Sequence, residues 1–175
     1  MRWATINSLK MASLALLLSL AGCSGDPATG PVDVTWDRDN CDRCMMALSD
    51  RNHSAQIRGG KHHKPYTFDD IGCALLWLEE QPWRDDPKTE IWVNNYQDGG
   101  WLNAREAQYV KVTHTPMNYG FSAQPKATQD SVGFLEMRSS VFSQEESYYA
   151  SLKARLAHRA EEANRPKQPQ DGSKP

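Results

Sequence analysis

Apolar positions along this chain form a continuous run near the start, short β-branched and aromatic stretches through the middle, and segments with helical spacing. The middle stretches lie beside turn residues and predict strands near residues 55–58, 66–68, 91–94, 109–113 and 132–137. Ile71, Ala74, Leu75 and Leu78 repeat at i, i+3, i+4 and i+7, with Asp69 or Asp70 placed to cap and Pro82 just beyond, which predicts a helix. That helix carries Cys73 toward the core, where it reads as a small buried hydrophobe. A second helix is predicted from Ser143, where Glu146 completes a capping box, to about residue 163. Tyr149, Leu152 and Leu156 share one of its faces, which would dock on a sheet or meet a partner. Strands and a helix across 55–94, then strands and a helix again across 109–163, predict an α+β fold of two related units, divisible as 34–108 and 109–163.

The ends differ from this body. Arg2 and Lys10 supply a positive N-terminal region before an apolar run over residues 11–20 that is too short to span a bilayer and ends in Leu20-Ala21-Gly22-Cys23. This is the pattern of a bacterial lipobox, which implies a signal peptide over 1–22, lipidation of Cys23 and a membrane anchor facing the periplasm. An ordinary cleaved signal with a coincidental cysteine is the alternative. Ser24 stands where aspartate would mark inner-membrane retention, so an outer-membrane anchor stays open. Residues 23–33, rich in Gly, Pro, Asp and Thr, read as a flexible tether, and 164–175 as a disordered polar tail, leaving 34–163 as the folded domain.

A net charge of -2 with no basic stripe gives no support for nucleic-acid binding. Four cysteines become three once Cys23 is acylated, and in an oxidising compartment an odd count leaves a thiol unpaired or otherwise employed.

Cys41-Asp42-Arg43-Cys44-Met45-Met46 sets two cysteines at ligand spacing against two methionines. Thiolate and thioether are soft donors, and a site pooling them selects Cu(I), whereas zinc takes thiolates but not methionine. Duller readings of the same residues are a small disulfide and methionines that fill core gaps. Downstream, in Thr113-His114-Thr115-Pro116-Met117-Asn118-Tyr119-Gly120-Phe121, Pro116 and Gly120 hold Met117 in a defined loop where it could face a metal. His114 gains weight from adjoining that loop. His62 and His63, in a charged turn, read as solvated, and His53 and His158 as surface residues.

Together these residues resemble the NosL family of periplasmic lipoproteins, which deliver copper to nitrous oxide reductase. The resemblance rests on Cys44-Met45-Met46 for the family's Cys-Gly-Met, and on Phe68-Asp69-Asp70-Ile71-Gly72-Cys73 opening the helix. Residues 101–110 match a segment ending in Ala-x-Tyr-Val, and Thr115-Pro116-Met117 matches a Thr-Pro-Met-Gly loop. It implies a monomeric α+β fold of two small ββαβ units, Cu(I) bound by soft side chains, and no catalysis. Met45 and Asn118 stand where the family carries glycine.

The expected function is that of a lipid-anchored periplasmic Cu(I) chaperone. Its expected ligands are Cys44, Met46 and Met117, joined by Cys41, His114 and Met45, and its partners a copper-accepting enzyme and a copper-maturation membrane complex. The rivals are a thiol–disulfide oxidoreductase using Cys41 and Cys44, and a structural zinc site built from Cys41, Cys44, Cys73 and a histidine. The polar residues 35–40 weaken the first, because such an active cysteine follows an apolar strand at a helix N-terminus. Covalent haem attachment is disfavoured by Met45 where histidine would follow the second cysteine.

Overall fold

A computed structural model describes residues 29–165 of the chain as an α+β fold. The first unit runs β1 (Ala55–Gly59), β2 (Lys64–Phe68), α1 (Ile71–Glu79), β3 (Glu90–Asn94) and β4 (Trp101–Asn103). Its strands form an antiparallel sheet in the order β2-β1-β3-β4, with Ala55 opposite Phe68 and Gly59 opposite Lys64. The second unit runs β5 (Gln108–Lys111), β6 (Phe121–Gln124) and β7 (Ser131–Val132) into α2 (Phe134–Asn164), with sheet order β6-β5-β7. The first unit therefore follows strand, strand, helix, strand, strand, while in the second all three strands precede the helix. A bridge between Asn95 and Ala123 and a 2.9 Å bond from the Tyr96 amide to the Ala123 carbonyl join the sheets.

Helix α1 forms where its pattern predicts. Asp70 caps it in extended conformation, its carboxylate accepting the Gly72 amide at 3.0 Å. Nine residues are too few for a stable isolated helix, so packing must hold this one. Ile71, Cys73, Ala74, Leu75, Leu76 and Leu78 are all buried, at about 1.5–3 kcal/mol for each large aliphatic side chain. Trp77, half-buried, contacts Tyr66 and Phe68 with ring centroids 4.4 and 5.3 Å away.

Helix α2 departs from expectation. It starts at Phe134, so Ser143 lies inside it and the capping box does not form there. The strand expected over 132–137 ends at Val132 because Gly133 takes the N-cap position and Met137 turns inward on helical spacing with Val141. Those two are its buried residues. Tyr149 and Leu156, expected on a docking face, are 56% and 55% exposed. Strands β4 and β6 carry too short a pattern to stand out in the sequence.

The tether reading also meets a difference. The Val32 amide donates to Gln56 Oε1 at 2.8 Å, Gln56 Nε2 returns a bond to the Val32 carbonyl at 2.8 Å, and the Gly30 amide donates to Glu90 at 2.7 Å. Arg58 Nε donates to the Gly30 carbonyl. Gln56 and Arg58 are buried on the central strand and need partners, which residues 30–32 supply. The signal peptide, Cys23 and the tail beyond residue 165 lie outside the described residues. Among the described residues no helix is long and apolar enough to cross a membrane.

Candidate metal centre

The loop that carries Cys41 and Cys44 is closed on itself and fastened to β2. A bridge pairs Asn40 with Ala47, and the Cys41 amide donates to the Met46 carbonyl at 2.8 Å. The Asp42 amide reaches the Thr67 carbonyl at 2.8 Å, while the Thr67 amide donates to Asp42 Oδ2 at 2.7 Å. This fixes the loop beside the end of β2, where the chain turns through Asp69 and Asp70 into α1. Asp69 lies just before the N-cap Asp70 and Cys73 in the first turn after it, so both side chains enter from the start of the helix.

The result is a group of four donors: Cys41, Cys44 and Cys73 Sγ and an Asp69 carboxylate oxygen all lie within 4.8 Å of one another. Sulfur ligands around a tetrahedral ion with bonds of about 2.3 Å sit about 3.8 Å apart, so small side-chain movements would close this group on a metal. Cys41, Cys73 and Asp69 are buried, and Cys44 is half-buried. Access is therefore through Cys44. Its thiol donates to Asp69 Oδ2 at 3.3 Å, and its amide points at Cys41 Sγ at 3.5 Å. Asp69 Oδ1 is buried without any hydrogen-bond partner. An orphaned buried carboxylate oxygen is costly, and a cation among the sulfurs would satisfy it.

The three thiols are not equivalent. A hydrogen bond from Cys73, helped by backbone amides, pulls Cys41 down to about 6 against the opposing effect of burial. Burial pushes Cys44 up to about 12, and Cys73 is pushed upward by its bond to Cys41 and by burial. Cys41 is thus the thiol most ready to ionise, and a cation bound by all three sulfurs would have to displace the protons of Cys44 and Cys73. All three cysteines are free thiols in this structure.

A second loop is fastened to the same helix end. Asp70 Oδ2 accepts the Thr115 hydroxyl at 2.6 Å and the Met117 amide at 3.2 Å, while Thr115 Oγ1 accepts the Gly120 amide at 3.2 Å. Gln144 of α2 donates to the Asn118 carbonyl at 2.9 Å. Met117 is half-buried against the core, one residue away from the loop's anchoring threonine–proline pair. Arg43, Tyr119 and Glu145 then tie both loops to α2: Arg43 donates to Glu145 at 2.6 Å and to the Tyr119 hydroxyl at 3.1 Å, and that hydroxyl donates to Glu145 at 3.2 Å. The Tyr119 ring lies flat against Gly72, where a Cβ would come within 2.2 Å of it.

Of the residues singled out in the sequence, Cys41 and Cys44 meet in the donor group. Met45 and Met46, next to Cys44 in the chain, are 69% and 49% exposed, Met117 lies in the loop held by Asp70, and His114 is exposed on the strand-to-loop turn before it. Cys73, read as a small hydrophobe, is buried as such but also supplies a donor. Of Asp69 and Asp70, either of which could have capped the helix, Asp70 does so and Asp69 is left for the donor group. The signal that could have found both is the Asp-x-x-x-Cys spacing at a helix start. No histidine belongs to the donor group, so the zinc arrangement with a histidine ligand is not the one formed among the described residues.

Asp50, His53 and Ser122 form another hydrogen-bonded chain, with both contacts at 2.8 Å. The order carboxylate, imidazole, hydroxyl suggests a nucleophile, but Ser122 is 1% exposed and a substrate cannot reach its hydroxyl. The chain links the 50–53 turn to β6. No protein-family model and no curated protein compared with this chain matches it.

Proposed function

We propose that this protein is a periplasmic, lipid-anchored Cu(I) chaperone of the NosL type, which hands copper to a cuproenzyme, nitrous oxide reductase being the expected acceptor. The observation that carries the metal reading is the convergence of Cys41, Cys44 and Cys73 on the carboxylate of Asp69, whose Oδ1 is buried and unpartnered. Thiolates hold Cu(I) strongly, and Met46 and Met117, in the two loops fastened around this group, are the thioethers that would favour it over harder ions. Arg43, within the cysteine loop, offsets negative charge as the thiols ionise. The half-exposed Cys44 and the exposed Met46 are where an acceptor's ligand would enter, so copper leaves by ligand exchange without unfolding the buried side of the site.

The backbone supports the family likeness. Met45 and Asn118, the two residues in place of family glycines, have φ of 65° and 59°. That left-handed conformation is the one glycine adopts without strain, which is what positions carrying glycine in the family would call for. A thiol–disulfide oxidoreductase is disfavoured because neither Cys41 nor Cys44 begins a helix.

Asp69 favours a second reading, a zinc site with three thiolates and one carboxylate, since a hard oxygen suits zinc better than Cu(I). Anaerobic titration of the mature protein with each metal, against a chelator of known affinity, separates the two. A chaperone binds one Cu(I) per chain in preference to zinc; stronger retention of zinc would replace the copper reading with the zinc one.

A further inference from the structure

The thiol group and the point where the N-terminal segment enters the fold lie at opposite ends of the first sheet. Gly30 is held at the turn end by Glu90 and Arg58, and Val32 is held one step along by Gln56, so the chain runs from the β1–β2 turn toward the cysteines. Asp69 follows β2 at its other end, five residues from Lys64, or roughly 17 Å of extended strand. Cys23 precedes Thr29 by six residues, a reach of at most about 22 Å. The turn itself presents Lys61, His62 and Lys64 to solvent, with Lys88 exposed beside it. Of the acids at this end, Glu90 is occupied by the Gly30 amide, His63 and Trp92 Nε1, Asp86 accepts the Lys88 amide, and Asp85 pairs with Arg84 at 3.4 Å.

We propose that the β1–β2 turn, with Lys61, Lys64 and Lys88, rests on the anionic phospholipid surface of the membrane that holds the anchor, turning the thiol group away toward soluble partners. This rests on the reading that Cys23 carries the lipid. A tether this short lets the turn reach the headgroups, and within a Debye length of about 8 Å its lysines are drawn to negative lipid, an attraction that falls with added salt. A loose tether alone would give no preferred face, whereas the lysines select one.

The test uses the processed, lipidated protein on phosphatidylcholine vesicles with and without phosphatidylglycerol, floated to prove attachment, then exposed to an amine-labelling reagent and read by peptide mass spectrometry. Lys153 on α2 is the internal reference. On phosphatidylglycerol vesicles, labelling of Lys61 and Lys64 should fall several-fold relative to Lys153, and the protection should vanish at high salt or without the anionic lipid. Protein that floats but labels Lys61 and Lys64 as fast as Lys153 overturns the orientation alone. Protein that does not float overturns the anchor, and the orientation with it.

Discussion

The two helices read alike in the sequence and behave differently in the fold. Both show apolar residues at helical spacing, yet α1 buries seven of its nine residues while α2, at 31 residues, buries Met137 and Val141. The difference lies in what covers them: α1 packs against the first sheet and is fastened to the Met117 loop, whereas on α2 Tyr148 and Tyr149 only edge a cavity beside that loop and, with Leu156, stay more than half exposed among the described residues. A hydrophobic stripe specifies which face could be buried, and only tertiary structure decides whether anything lies against it. The chemistry follows the buried helix: Asp69, Asp70, Gly72 and Cys73 all sit in or before its first turn.

Substitutions at that turn should therefore have the largest effects. Gly72→Ala puts a Cβ 2.2 Å from the Tyr119 ring, which must move and take the Arg43–Glu145 clamp with it. The expected loss is about 2–3 kcal/mol in a denaturant melt of the apo-protein, and an unchanged midpoint would mean that the ring does not rest on α1. Met45→Gly should act in the opposite direction. Met45 is exposed and at positive φ, so glycine removes strain at the cost of chain entropy, for a net gain of about 0.5–1 kcal/mol. A loss of stability there would show that the Met45 side chain makes a contact of its own. The smallest effect belongs to the outer half of α2: Leu156→Ser should shift the same melt by less than about 0.5 kcal/mol, and a larger loss would reveal a covering partner, such as a second chain, in solution.

The legible parts of this molecule were those fixed by local rules. The α1 boundaries followed from a capping carboxylate and i, i+3, i+4, i+7 spacing, and most strands from β-branched clusters beside turns. What stayed hidden depended on contacts remote in the chain. Residues 30–32 look like linker until Gln56 and Arg58 are seen to require partners. Strand β6 is recognisable through its pairing with β5, Lys111 opposite Phe121, more than through its own short pattern. Cys41 and Cys44 announced themselves by spacing, but Cys73 on an apolar helical face looked like core, and nothing local distinguished a buried cysteine from a buried donor. The methionines stood out for the opposite reason: they are chemically conspicuous in sequence, while their exposure is a property of the fold.

The central claim is that Cys73, from inside the buried helix, completes the metal site. Cys73→Ala keeps a good helix former and removes a small side chain, so apo-protein stability should fall by about 1 kcal/mol. The deciding measurement is the Cu(I) affinity of this variant and of wild type by anaerobic chelator competition across neutral to mildly alkaline pH. In wild type, Cys44 and Cys73 must surrender protons to the metal because both are pushed upward in the free protein, so affinity should rise with pH. The account predicts at least about a tenfold loss of affinity in Cys73→Ala and a shallower pH dependence, with one proton fewer to release. Wild-type affinity with the wild-type pH slope would contradict it, and would return the site to Cys44 and the two methionine loops.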